Sequence, residues 1–351
     1  MNFFQRLISF VNCLVAVVFL ASNLQAADLL PLTDNQKPPY LAVWKEPKYL
    51  PEGLDQYNAW LNRKLVWADI SPCVIYKPAA TWAEIEFPFD KMWGKWVTDV
   101  HGRRVVIGLD LLPTDGSKLD QAATGAYDSH FTALAQNLVA NNLGNAIICM
   151  GPTSPWGGPL KATSPTDAAH FVQYWQHIVK AMKAVPGTDK LQFDWVAEAG
   201  RPEAELANSY PGDDCVDLIG ATIGEGSGDR TVYPYPPFSS NSEMLYRQKR
   251  AWDETEYPAI QIISAFAKTH NKRFSIARWY LNADHTRSEG FDAAYFIEAM
   301  AKYIQDPANN VYFASYFEYY HNGWLSPTND YKVTQPQAEA AFKKMFALPS
   351  K

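Results

Sequence analysis

Eight short apolar runs recur along this chain, each followed by a polar loop: Tyr40–Trp44, Lys64–Ser71, Arg103–Leu112, Asn145–Gly151, Leu191–Val196, Cys215–Thr222, Phe274–Trp279 and Val311–Phe317. Helical, period-3.6 patterns lie between or after most of them, over Tyr127–Leu143, Thr166–Ala184, Met244–His270, Phe291–Ile304 and Gln335–Phe346. Strands that are apolar throughout, rather than at alternate positions, belong to a sheet covered on its faces. Alternation with amphipathic helices makes that sheet parallel. Eight such units predict an α/β chain folded as a single (β/α)8 TIM barrel. A doubly wound open sheet is the alternative, but no glycine-rich phosphate turn follows any of the runs.

The first residues stand outside this rhythm. Arg6 is their one charge, Leu7 to Ala21 is apolar apart from Ser9 and Asn12, and small residues flank the bond after Ala26. This predicts a secretory signal peptide over 1–26, because the apolar run is short for a membrane span. The expected mature chain, 27–351, is then one domain, exported to the periplasm or beyond, with no membrane span of its own. No linker, charge block or low-complexity tract divides it.

Charge narrows the partners. Without Arg6 the chain carries 30 basic against 37 acidic residues. That mild acidity argues against nucleic acid, which asks for basic patches. No pair of histidines has ligand spacing on one helix, so neither a metal nor another cofactor is expected. His285 and His321 fall in loops on the site side. Three cysteines remain after export, Cys73, Cys149 and Cys215; the apolar strands around the last two favour buried thiols over a bridge. The aromatics are the unusual feature, at 14% with 12 Trp and 19 Tyr. A barrel core prefers branched aliphatics. Part of the surplus is therefore expected to face sugar, whose apolar faces stack on rings.

In a (β/α)8 barrel, function sits at the C-terminal ends of the strands. On these strand boundaries the candidates are Asp69, Asp110, Thr153, Trp156, Glu198, Glu225, Arg278, Trp279 and Glu318.

Several stretches carry a resemblance. They are Thr124 to Phe131, Phe171 to Trp175 with Ala181-Met182 and Pro186-Gly187, and Phe193-Asp194-Trp195. Tyr210-Pro211-Gly212-Asp213-Asp214 with Val216 to Gly220 is the most specific, and Phe291 to Ile297 and Tyr316-Phe317-Glu318 extend it. Over roughly Lys64 to Glu318 the chain resembles glycoside hydrolase family 26, the β-mannanase-type barrels. The resemblance implies retaining hydrolysis of a β-linked polysaccharide by two carboxyl groups about 5–5.5 Å apart. It places the acid/base at Thr153 and the nucleophile at Arg278. The family's Asp and Tyr after the sixth strand fall on Thr222 and Gly224. A threonine cannot protonate a leaving oxygen near neutral pH, and a guanidinium cannot attack an anomeric carbon.

Two readings follow. The first is a catalytically impaired barrel that binds a polysaccharide, with Trp156, Trp279, Tyr280, Trp324 and Asp110 as substrate-binding candidates. The second is an active glycosidase using relocated carboxylates, Glu225 and Glu318. Against the second, Glu225 reads as a solvated loop residue and Glu318 as a salt-bridge partner of Arg278. A non-catalytic scaffold in exopolysaccharide assembly is a third. Arg278 also has a functional reading, bidentate binding of an acidic sugar. For Trp175 and Trp195, core packing is the stronger reading.

Overall fold

The structure is a computed structural model; it describes residues 37–45, 51–70, 79–86, 91–153, 160–225, 240–281, 292–318, 325–327 and 335–348. Each of the eight apolar runs overlaps a strand: β1 (Tyr40–Lys45), β2 (Trp67–Ile70), β3 (Arg104–Gly108), β4 (Ile147–Met150), β5 (Gln192–Glu198), β6 (Leu218–Gly224), β7 (Arg273–Tyr280) and β8 (Val311–Glu318). All ladders are parallel, in the order β1-β8-β7-β6-β5-β4-β3-β2. β1 and β2 lie side by side, so the sheet is a nearly closed (β/α)8 barrel. The described residues fall within one unit, Leu32–Lys351.

Because side chains alternate across a strand, two cores form. Ala42, Trp67, Val106, Ile147, Leu218 and Phe313 fill the lumen. The opposite faces, with Leu41, Ile148, Phe193, Ile219, Ile276 and Tyr316, pack beneath the helices. Those helices include Asp128–Ala140, Pro165–Lys183, Ala294–Gln305 and Pro336–Phe346, close to the predicted spans. The longest is started by Ser164, whose Oγ accepts from the Asp167 N–H, with Pro165 at the first turn.

The Met244–His270 pattern corresponds to two α-helices, Asn241–Ala251 and Tyr257–Thr269, joined by a π-helical turn over Trp252–Glu256. That wider turn carries both Trp252 and Glu256 into buried positions. Helices at Pro51–Leu61, Trp82–Ile85, Lys91–Asp99 and Glu203–Ser209 have no counterpart among the predicted patterns. Cys149 and Cys215 are free thiols, but Cys215 ends a 3₁₀ turn, Asp213–Cys215, rather than lying in a strand. Cys73 lies outside the described residues, as do 1–26.

Much of the aromatic surplus is packing. Trp44, Trp175, Trp195 and Trp279 are among the largest fully buried side chains. No described helix is long and apolar enough to cross a membrane.

Candidate functional site

The lumen is polar halfway up. Asp69 of β2 accepts a hydrogen bond from the Ser315 hydroxyl of β8 at 2.6 Å. Asp194 of β5 accepts from the Ser275 hydroxyl of β7 at 2.6 Å and from the Cys149 thiol of β4 at 3.4 Å. Gly220 of β6 makes room for this group, since a Cβ there would stand 2.4 Å from Ser275 Oγ and 2.8 Å from Asp194 Oδ1. One oxygen of each carboxyl, Asp69 Oδ1 and Asp194 Oδ1, accepts no hydrogen bond.

Burial dominates the titration of these groups, because desolvation disfavours the charged form. It pushes Asp194 up to about 7, with the Ser275 and Cys149 hydrogen bonds opposing the rise. Asp69 goes to about 6, held back by the Arg278 charge and by Ser315. The Cys149 thiol is pushed well above its usual value by burial and then by Asp194.

Arg278 enters this lumen because of a bulge in β7. The register against β6 steps from Ala221↔Ile276 to Thr222↔Arg278, and against β8 from Ile276↔Ala314 to Trp279↔Tyr316. One extra residue, Ala277, exchanges the two faces of the strand beyond it. Arg278 therefore points inward, over the Phe317 ring at 4.1 Å. Burial lowers its pKa to about 10, against the charges of Asp69, Tyr280, Asp110 and Cys149. Tyr280 follows on the same face, its ring pressed to Gly224, where any Cβ would stand 2.4 Å from Tyr280 Cε2. Phe317 packs on Trp44 at 4.4 Å. The upper lumen is thus closed by Trp44, Phe317, Arg278 and Asp110, each nearly or fully inaccessible, with Tyr280 partly exposed above them.

The same bulge turns Trp279 outward. It stacks on Phe342 at 5.8 Å and 15° and meets Tyr316 at 4.8 Å, beneath the last helix. This corrects its assignment to sugar stacking, for the ring offers no face to the lumen.

Glu318 also faces outward, continuing the set Ala314 and Tyr316. It is 0% exposed, and its ion partner is Lys45 of β1, at 3.3 Å, rather than the expected Arg278. The Leu325 and Ser326 N–H groups donate to Glu318 Oε1 at 3.0 and 2.5 Å, and the Ser326 hydroxyl donates to Oε2 at 2.9 Å. Lys45 Nζ donates to Ser326 Oγ as well.

Glu225, expected to be solvated, is 1% exposed. Its N–H donates to the Tyr280 carbonyl at 2.9 Å, extending the β6–β7 ladder. The buried Tyr316 phenol is raised well above its ordinary pKa first by burial, then by Glu318 and Glu225. The charges of both relocated carboxylates thus act on Tyr316, whose ring lies outside the lumen.

Thr153 lies in the segment after β4, bridged antiparallel to Lys161. Glu198 is exposed and pairs with Arg201 at 3.5 Å. Trp156, Trp324, His285 and His321 lie outside the described residues. The structure therefore gathers Asp69, Asp110, Arg278 and Tyr280 in the lumen, and separates them from Glu225, Glu318 and Trp279. Sequence reasoning missed Asp194, Lys45, Trp44 and Phe317. Strand parity carried the signal for Trp44 and Phe317, since both follow lumen positions by two residues.

No family model and no curated protein matches this sequence. Solved structures do match its fold. The YdhT protein from Bacillus subtilis is 12% identical, with TM-score 0.55, covering 90% of this chain and 87% of that one. The catalytic domain of a family 26 endo-β-1,4-mannanase from Bacillus sp. JAMB-750 gives the same identity, TM-score and coverage. A Cellulomonas fimi endo-β-1,4-mannanase double mutant is 14% identical, with TM-score 0.55, covering 88% of this chain and 69% of that one. At such identities the likeness is one of fold. The chain shares the (β/α)8 barrel fold of these proteins, and family 26 mannanases are among its structural neighbours.

Proposed function

We propose that this barrel binds a β-linked polysaccharide and does not cleave it by the two-carboxylate route. One observation carries the reading: the end of β7 presents Arg278 to the lumen, where the resemblance calls for a nucleophilic glutamate. A buried cation at that place opposes the positive charge that develops on the sugar in the transition state. Neither relocated carboxylate offers an accessible substitute, because Glu318 is sequestered by Lys45 and Ser326 and Glu225 is buried. The mannanase neighbours support the substrate class. Tyr280, partly exposed over Gly224, is the described ring best placed to stack on a sugar. Asp69 and Asp110 beside Arg278 disfavour the acidic-sugar reading, since the guanidinium already stands among carboxylates. Export through a signal peptide over 1–26 belongs to the same proposal.

The test is hydrolysis and binding on one panel of β-mannans, glucomannan, xylans and acidic exopolysaccharides. Binding without new reducing ends, weakened in Tyr280→Ala, supports the proposal. Cleavage abolished by Glu225→Ala or Glu318→Ala overturns it in favour of an active glycosidase. Neither binding nor cleavage leaves the assembly scaffold.

A further inference from the structure

We infer a second saccharide-binding site, for one neutral pyranose unit, between the segments that follow β4 and β5. It rests on the polysaccharide reading above and adds a place for a chain to continue beyond the mouth. A pocket of about 130 Å³ opens there. Pro152 and the residues from Ala162 to Ala168 form one wall, tied together by the Ala162 N–H, which donates to the Pro152 carbonyl at 2.7 Å. The short helix Glu203–Ser209 forms the other.

Ala162, Ala197 and Leu206 are buried and make an apolar floor; Arg201, Glu205 and Asn208 are more exposed and make a polar rim. The two small alanines leave the space open. The volume lies well below the roughly 300 Å³ of pockets that engulf a drug-sized ligand. It suits a single ring presented by a chain running past.

The chemistry of the rim selects hydroxyls over charge. Arg201 is held between Glu205 at 3.0 Å and Glu198 at 3.5 Å. Its guanidinium is balanced, so a carboxylate-bearing sugar gains little there. Guanidinium and amide N–H groups donate while carboxylate and amide oxygens accept, which matches neighbouring hydroxyls of one ring. The ring's apolar face would lie on the alanine and leucine methyls.

The experiment is calorimetric titration of mannohexaose and of an oligogalacturonate into the full chain, wild type and Arg201→Met, Asn208→Ala and Tyr280→Ala. Thermal melts check that each variant is folded; Asn208 is exposed and makes that variant the safer of the rim pair. Loss of one rim hydrogen bond, about 1 kcal/mol, should lower hexaose affinity about five-fold in each rim variant. Wild-type affinity in both, with binding weakened in Tyr280→Ala, overturns this second site and leaves the polysaccharide reading standing. Tighter binding of oligogalacturonate than of hexaose overturns the neutral-ligand assignment. No binding of either by the wild type removes both readings.

Discussion

Asp194→Asn is the most direct probe of the polar lumen. In the folded chain burial holds this acid at about 7, against an ordinary value of 3.8. Between those values the folded state keeps a proton that the unfolded state has released. Stability therefore falls as pH rises, by about 1.4 kcal/mol per pH unit, until the folded acid itself ionises. The contribution is complete below about pH 4 and lost above about pH 7. From pH 5 to pH 8 Asp194 should cost about 3 kcal/mol, and Asp69, at about 6, roughly 1.4 kcal/mol more. Asparagine keeps the shape and can still hydrogen-bond Ser275, but it does not titrate. Its unfolding free energy, from urea melts at half-unit pH steps, should lose most of this slope. A melting temperature follows at roughly 2 °C per kcal/mol for a chain of this size. A variant with the wild-type slope, merely displaced by a constant, would refute the assignment of the slope to Asp194.

Lys45→Met strands the Glu318 carboxylate in a buried place, and should cost about 3–5 kcal/mol in chemical denaturation. Trp279→Ala should cost about 3–5 kcal/mol through the cavity left beneath the last helix; affinity electrophoresis on glucomannan should be unchanged for the folded fraction, because the ring faces away from the lumen. Gly224→Ala drives a methyl into the Tyr280 ring, so polysaccharide affinity should fall about as far as in Tyr280→Ala, with the fold retained in far-UV circular dichroism.

The barrel was legible in the sequence because every strand is predominantly apolar, and that pattern survives any substitution within the aliphatic and aromatic set. The short helices were not. Glu203–Ser209 places only Leu206 and Ser209 in buried positions, too few to write a period. The site was legible by position but not by direction. Arg278 and Trp279 were both found at the end of β7, yet which of the two faces inward depends on the bulge at Ala277. A bulge leaves the residues unchanged and alters only their phase against β6 and β8. Glu318 was misassigned to Arg278 for the same reason: its true partner, Lys45, comes from the far end of the chain and shares its outward parity. The buried Asp194 was hidden within a stretch valued for its aromatic neighbours.

The pairing of Lys45 with Glu318 spans 273 positions, and β1 has its ladder with β8 alone among the described strands. During synthesis the first strand is therefore made long before its partner exists. Its backbone edge, and the Lys45 ammonium destined for a dry site, must wait until the last strand has emerged. Contacts of such long sequence separation close slowly, and unpaired edges invite wrong partners meanwhile. A ribosome-bound chain whose emerged part ends before Val311 should leave β1 open to protease, and one whose emerged part extends past Ser326 should protect it. Closure of the ring, rather than growth of any one strand, sets when this protein becomes a folded object.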